Sequence, residues 1–264
     1  MIKFPKNENT KYYEIHYQYL LNVLREYHTI ELVPATNLGK TKFVIKIEDN
    51  VILIDFNDFT EIDYSPDSYD RCFKFHYNYN LHKNIKNLFP LSPVSFYNWH
   101  EFNQNLSKIK YTCNTDKILC NQRPYGDAIQ RRKYVQSLLK QKFQEVDTKI
   151  YPQQHFWNQI NECLVSVCVP GARNNMIDRG QLQYMGLGCC TISPELTDSL
   201  CFNSKPIPGY QYISCKNDYS DLEDKINWCK ANRNKCVEIG KNAKHLFQNT
   251  CTPKAINDWM WECL

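Results

Sequence analysis

Arg173, Asn174, Asn175, Asp178 and Arg179 crowd one short polar stretch of the chain. Two guanidinium groups so close together suit a diphosphate, which each can meet with paired, charge-assisted hydrogen bonds. An ordinary surface loop carries the same residue types, so the reading rests on what flanks the stretch.

Residues 164–169 form an apolar, β-branched run of the kind that makes a buried strand. Pro170 and Gly171 turn the chain. Asp178 then leads into a helical pattern through Leu182, Tyr184 and Met185, which Gly186 and Gly188 stop, and 189–192 reads as the next strand. A strand–loop–helix–strand unit belongs to a parallel sheet, where ligands sit beyond the strand carboxyl ends, at loops that feed helix N-termini. A similar unit precedes it: strand 117–120, a loop over 121–127 that contains Arg123, and a helix over 128–143 that carries Arg131 and Arg132. Another follows, with an aromatic strand over 210–215, Ser220 as helix N-cap with Glu223 three residues on, and helices over 220–230 and 234–247. Thr252-Pro253 opens a final helix over 254–263.

The first part of the chain predicts a helix over 11–27, with Tyr13, Tyr17, Leu20, Leu21 and Leu24 as its apolar stripe. Strands are expected over 29–33, 42–47, 51–56 and 72–77, the second and third joined as a hairpin at Asp49-Asn50. Residues 84–91 and 94–102 read as loop. Polar sequence over 107–113 precedes the first clear βα unit, so the expected division is 1–110, 111–250 and a last helix over 251–264.

The totals exclude several classes. At 264 residues, with 42% hydrophobic content and a net charge of +4, the chain suits two small domains or one large one and is too weakly basic to argue for nucleic acid. No apolar run reaches the roughly 20 residues that span a bilayer, and the first residues lack the apolar core of a secretory signal, so a soluble chain is expected. The 13 cysteines are odd in number and form no CxxC pair, which predicts reduced thiols in a cytosol-like compartment. GxxxxGKS/T, GxGxxG after a strand, GxSxG, HExxH and DxD are all missing.

The order "Arg, helix, GLGC, strand, Pro", then "GYxYI, short loop, SDLEDKI, helix", resembles the donor-binding half of GT-B-fold glycosyltransferases. Asp178-Arg179-x-Gln181-Leu182-x-Tyr184 is most similar to the Arg-containing segment of the capsule-xylosyltransferase and protein O-glucosyltransferase type. The likeness covers 118–247, about half the chain. It implies an α/β protein of two Rossmann-like domains facing a cleft, with an acceptor-side domain first and a nucleotide-sugar-binding domain second. In such enzymes a C-terminal helix returns to the N-terminal domain; a helical cap on the second domain is the alternative. The Asn-, Lys- and Tyr-rich composition also resembles the soluble glycosyltransferases of large DNA viruses, which would act in a host cytosol.

The implied activity is transfer of a sugar from a nucleotide-diphosphate donor to a glycan acceptor hydroxyl, with no metal or other cofactor. UDP-sugars are the default donors, and UDP-xylose follows from the likeness alone. An inverting transfer needs a base, and Asp58 at a strand end is the first choice, with Asp55 second and His76 third; a turn cap is the plainer role for Asp58. The donor falls to Arg179 and Arg173, then Arg123, with Asn175, Asp178 and Tyr184 beside them; Asp178 equally suits a helix cap. Lys74, flanked by Phe73 and Phe75, reads as a lysine that reaches the cleft or, more commonly, as a strand-edge lysine, and Arg131 and Arg132 as phosphate contacts or a solvated helix face. The competing class is a non-catalytic module that binds nucleotide or glycan.

Overall fold

A computed structural model describes residues 1–7, 14–171, 173 and 175–264, with the backbone alone at 153 and 154. The start of the expected first helix, Tyr13 included, and Asn174 lie outside the described residues. The chain divides into two compact units, one made of Met1–Trp99, Asp198–Lys205 and Asn249–Leu264, the other of His100–Thr197 and Pro206–Gln248.

The first unit is built on a mixed sheet. Strand β1 (Ile2–Pro5), helix α1 (Glu14–Tyr27) and strand β2 (Ile30–Val33) form a parallel βαβ unit, and β3 (Lys42–Ile47) and β4 (Asn50–Asp55) form the expected hairpin. Strand β5 (Arg71–Lys74), helix α2 (Tyr79–His82) and strand β6 (Leu88–Pro90) complete it, in the order β2-β1-β3-β4-β5-β6. Only β3 runs against the rest. Helix α1 buries Tyr17, Leu20, Leu21 and Leu24, and the Tyr17 ring meets Phe4 edge-on at 5.2 Å.

Three corrections apply here. Residues 84–91 contain β6 rather than loop alone, a strand disguised by its three-residue length and its proline. Residues 94–102 run into a helix, α3 (Trp99–Lys108), whose first turn is polar apart from Trp99 and whose only buried residue is Phe102. Lys74 is no strand-edge lysine, because β5 lies between β4 and β6.

His82 carries a pH dependence. It is buried, with 3% exposure, and its Nδ1 accepts the Asn78 backbone N–H at 3.1 Å, which requires an unprotonated nitrogen. Burial, and then the charge of Lys74, lower its pKa from 6.5. A depressed histidine pKa means the unfolded chain takes up the proton first. The stabilisation is therefore complete above about pH 6.5 and falls as pH drops towards the folded value, at no more than about 1.4 kcal/mol per pH unit. Urea denaturation between pH 7 and pH 5 should show this slope, and His82→Gln should flatten it.

In the second unit, β7 (Ile118–Leu119), α4 (Ile129–Lys142), β8 (Val146–Asp147), α5 (Gln153–Asn158) and β9 (Val165–Val167) follow α3. Next come α6 (Arg179–Gly186), β10 (Thr191–Pro194), β11 (Ile213–Cys215), α7 (Leu222–Ala231) and α8 (Arg233–Thr250). The sheet order is β11-β10-β9-β7-β8, and every pairing is parallel. Ile118, Val165, Val167 and Ile192 from the strands meet Val135, Leu139, Leu222, Ile226 and Ile239 from the helices in one core. Helix α8 runs so near the turn before β10 that a Cβ on Gly240 would lie 2.0 Å from the Gly188 carbonyl oxygen. The helix expected from Ser220 starts later, with Asp221 as N-cap, because Asp218 takes the Ser220 N–H and Asp221 takes that of Lys216.

The last helix, α9 (Pro253–Glu262), starts as expected, with Thr252 accepting the Ala255 N–H. It belongs to the first unit and packs on α1. Trp261 stacks on His28 at 3.9 Å, and Trp259 donates to the Pro90 carbonyl at 2.7 Å. The C-terminal helix thus returns to the first unit and does not cap the second. Among the described residues, no helix is long and apolar enough to cross a membrane. All 13 cysteines are buried free thiols.

Candidate functional site

In the second unit the chain moves from β7 to β8 on one side, then returns to place β9 on the other side of β7. Connections leaving β7 and β9 therefore diverge, and this is the point of a doubly wound sheet where ligands bind beyond the carboxyl ends. The loop after β7 reads Cys120-Asn121-Gln122-Arg123-Pro124-Tyr125, and the loop after β9 ends at Asp178, the N-cap of α6.

A polar lattice ties the two loops together. Asp178 Oδ1 accepts the Gln181 N–H at 2.8 Å, while Oδ2 accepts from Gln122 Nε2 at 2.6 Å and from Arg132 Nη2 at 2.9 Å. Arg132, only 5% exposed, also donates to the carbonyls of Arg123 (2.9 Å) and Val169 (3.1 Å). Gln122 Oε1 accepts the Val169 N–H at 2.5 Å, and Arg131 Nη2 donates to the carbonyls of Pro170 and Gly171. The solvated-face reading of Arg131 and Arg132 is thereby corrected, since both turn inward to fix backbone. A Cβ on Gly180 at the α6 start would lie 3.2 Å from Asp178 Oδ1 and 3.4 Å from Gln122 Nε2, so the glycine leaves room for this lattice.

Asp178 is thus a helix cap and a brace, with its charge balanced by Arg132. The side chains of Arg123 and Arg179 form no hydrogen bond or ion pair with another described residue. These two guanidinium groups and the first N–H groups of α6 give this sheet end positive charge suited to an anion. Asn175 Nδ2 donates to Thr197 Oγ1 at 3.2 Å, and Arg173 is half-buried in the same loop. Tyr184 sits deeper; it is fully buried and its hydroxyl donates to Asn121 Oδ1, so it supports the β7 loop from beneath. Gln122 and Asn121 did not stand out in the sequence, where the neighbouring Arg123 was the only visible signal of that loop.

In the first unit, Asp58 and His76 lie in the loops that follow the adjacent parallel strands β4 and β5. His76 Nε2 is 3.5 Å from Asp58 Oδ1, with 14% and 50% of the side chains exposed. Asp55 has another setting. Its carboxylate and the Lys74 ammonium are both 0% exposed and 2.8 Å apart, and its second oxygen accepts the Asn57 N–H at 2.8 Å. A carboxylate so buried and paired holds β4 to β5 and has no exposed face for an acceptor hydroxyl. Among the described residues, no three His, Cys, Asp or Glu side chains gather as a metal-binding set.

No protein-family model matches the chain. The uncharacterized protein 179R of Invertebrate iridescent virus 6 is 34% identical over 83 residues, which is 29% of this chain and 7% of that protein. The chain therefore matches a small fraction of this viral relative's length. A glycosyltransferase from Rickettsia africae ESF-5 superposes with a TM-score of 0.53 over 97% of this chain and 82% of its own, at 11% identity. This likeness shows the fold: two Rossmann-like α/β units of GT-B type, with a C-terminal helix on α1.

Proposed function

We propose that the chain is a glycosyltransferase that moves a sugar from a nucleotide-diphosphate donor to a glycan acceptor hydroxyl, with inversion and without a metal. The observation that carries this reading is the loop pair at the β7/β9 switch point, where Arg123 and Arg179 form no hydrogen bond or ion pair with another described residue while Arg131 and Arg132 are engaged. The GT-B-like fold gives that position its meaning. UDP-sugars fit as donors, xylose being suggested by the segment 178–184, and the viral relative fits a cytosolic viral enzyme.

In this reading the diphosphate rests on Arg123, Arg179 and the α6 N–H groups, with Arg173 and Asn175 alongside. Asp58, steadied by His76, takes the proton of the acceptor hydroxyl. The hydroxyl oxygen then bonds to the anomeric carbon as the bond to the diphosphate breaks, and the arginines stabilise the charge left on the departing group.

Thermal unfolding with UDP, GDP, CMP and dTDP, each with Mn²⁺ and with EDTA, tests the donor site. A nucleotide at 100 times its dissociation constant adds about 2.7 kcal/mol of stability. The expected result is a raised melting temperature with one nucleotide class, equal in Mn²⁺ and EDTA, and lost in Arg179→Ala. A protein that melts at the same temperature with every nucleotide would remove the basis of the proposal.

A further inference from the structure

Tyr125 is the one large aromatic side chain of the β7 loop, and it is 60% exposed at the switch point. Its surroundings differ from those of an ordinary surface tyrosine. The Arg132 guanidinium carbon lies 5.5 Å from its ring centroid, so one face of the ring rests on a cation. That cation is itself fixed, by Asp178 and by the carbonyls of Arg123 and Val169. Tyr125 has extended backbone (φ −151°, ψ 165°), and Gly126 beside it takes φ +57°, a left-handed turn that a side chain would strain. The chain thus swings away into α4 just after the ring, leaving the ring outside the fold on a rigid support.

Resting on the donor reading above, we infer that Tyr125 is the stacking platform for the nucleobase of the donor. An aromatic ring held from below by a guanidinium offers its other face to a flat heteroaromatic partner. A nucleotide whose phosphates lie on Arg123 and the α6 start carries such a partner on the same molecule. Stacking needs only a π-face, so Tyr125 supplies affinity for nucleotides as a class while base choice is made by other contacts. The hydroxyl of Tyr125 has no part in this role, and the ring alone suffices.

The test is titration of UDP, GDP, CMP, dTDP and inorganic pyrophosphate into the wild-type chain, Tyr125→Phe and Tyr125→Ala, by calorimetry. For the nucleotide that binds the wild type, Tyr125→Ala should weaken binding about 10- to 100-fold, the range that loss of one stacked base gives. Pyrophosphate should bind all three proteins alike, and Tyr125→Phe should match the wild type. Thermal unfolding of Tyr125→Ala in the absence of ligand should stay close to wild type, as befits an exposed ring. Unchanged nucleotide binding in Tyr125→Ala would overturn the inference, and so would an equal loss for pyrophosphate, which would mean that the ring only shapes the loop. If no nucleotide binds the wild type, the donor reading fails and takes this inference with it; if the wild type binds and Tyr125→Ala binds equally, this inference alone fails.

Discussion

Lys74→Met should destabilise the first unit by about 3–5 kcal/mol, the usual cost of leaving one member of a buried ion pair behind. Lys74 and Asp55 face each other in register on β5 and β4, with no exposure and 2.8 Å between charged atoms. Without the ammonium, the Asp55 carboxylate keeps one backbone N–H partner and no compensating charge. It must then either stay ionised in a poorly solvating interior or take up a proton, and each costs stability. The double variant Asp55→Leu with Lys74→Met removes both charges and should recover most of the loss, since paired apolar replacements are often neutral. Urea denaturation of the two variants measures the difference. A single variant as stable as the wild type would show that the pair contributes no net stabilisation. Because Lys74 also lowers the His82 pKa, the single variant should in addition soften the acid slope of the first unit.

Asp58→Asn should lower turnover about 10²- to 10⁴-fold, the range for loss of a general base, while the nucleotide-induced rise in melting temperature is kept. The amide preserves the size of the side chain and removes its ability to take a proton. Transfer of a labelled sugar from the bound donor class to oligosaccharide acceptors is the assay, with binding measured in parallel. Turnover that survives in Asp58→Asn and disappears in His76→Gln would move the base to the imidazole. A wild-type chain that binds nucleotide firmly and transfers to no acceptor would identify a binding module. His76→Gln with Asp58 intact should cost less than Asp58→Asn, because His76 acts through the carboxylate 3.5 Å away.

The second unit was the more legible part of the sequence. Its strands and helices alternate in long periods, and the helix expected over 128–143 appears as Ile129–Lys142. Asp178 was visible as a cap because a short polar side chain before a periodic stretch has few other uses. What the sequence concealed was the partnership of side chains distant in the chain. Nothing local shows that Gln122 and Arg132 will share one carboxylate oxygen of Asp178, because only the order β11-β10-β9-β7-β8 brings those loops together. The first unit was harder to read. β1 and β6 are short and each includes a proline. A carboxylate inside a buried strand needs a partner, yet the sequence hides which residue serves Asp55, since Lys74 is itself in an apolar run where a lysine suggests an edge.

The burial of the cysteines has a practical side for labelling chemistry. Maleimide and iodoacetamide reagents attack exposed thiolates, and every native thiol lies inside the fold. Burial also pushes Cys72 and Cys120 up to about 12, so neither ionises near neutral pH. Cys236, which hydrogen bonds from Cys113, Cys190 and Cys229 hold below the ordinary thiol range, is shielded by the same core. A single cysteine introduced at the exposed Asp127, beside Tyr125, can therefore be tagged without removing any of the other 13. An environment-sensitive dye at that position would test directly whether nucleotide reaches the switch point, in a protein whose core is left as nature packed it.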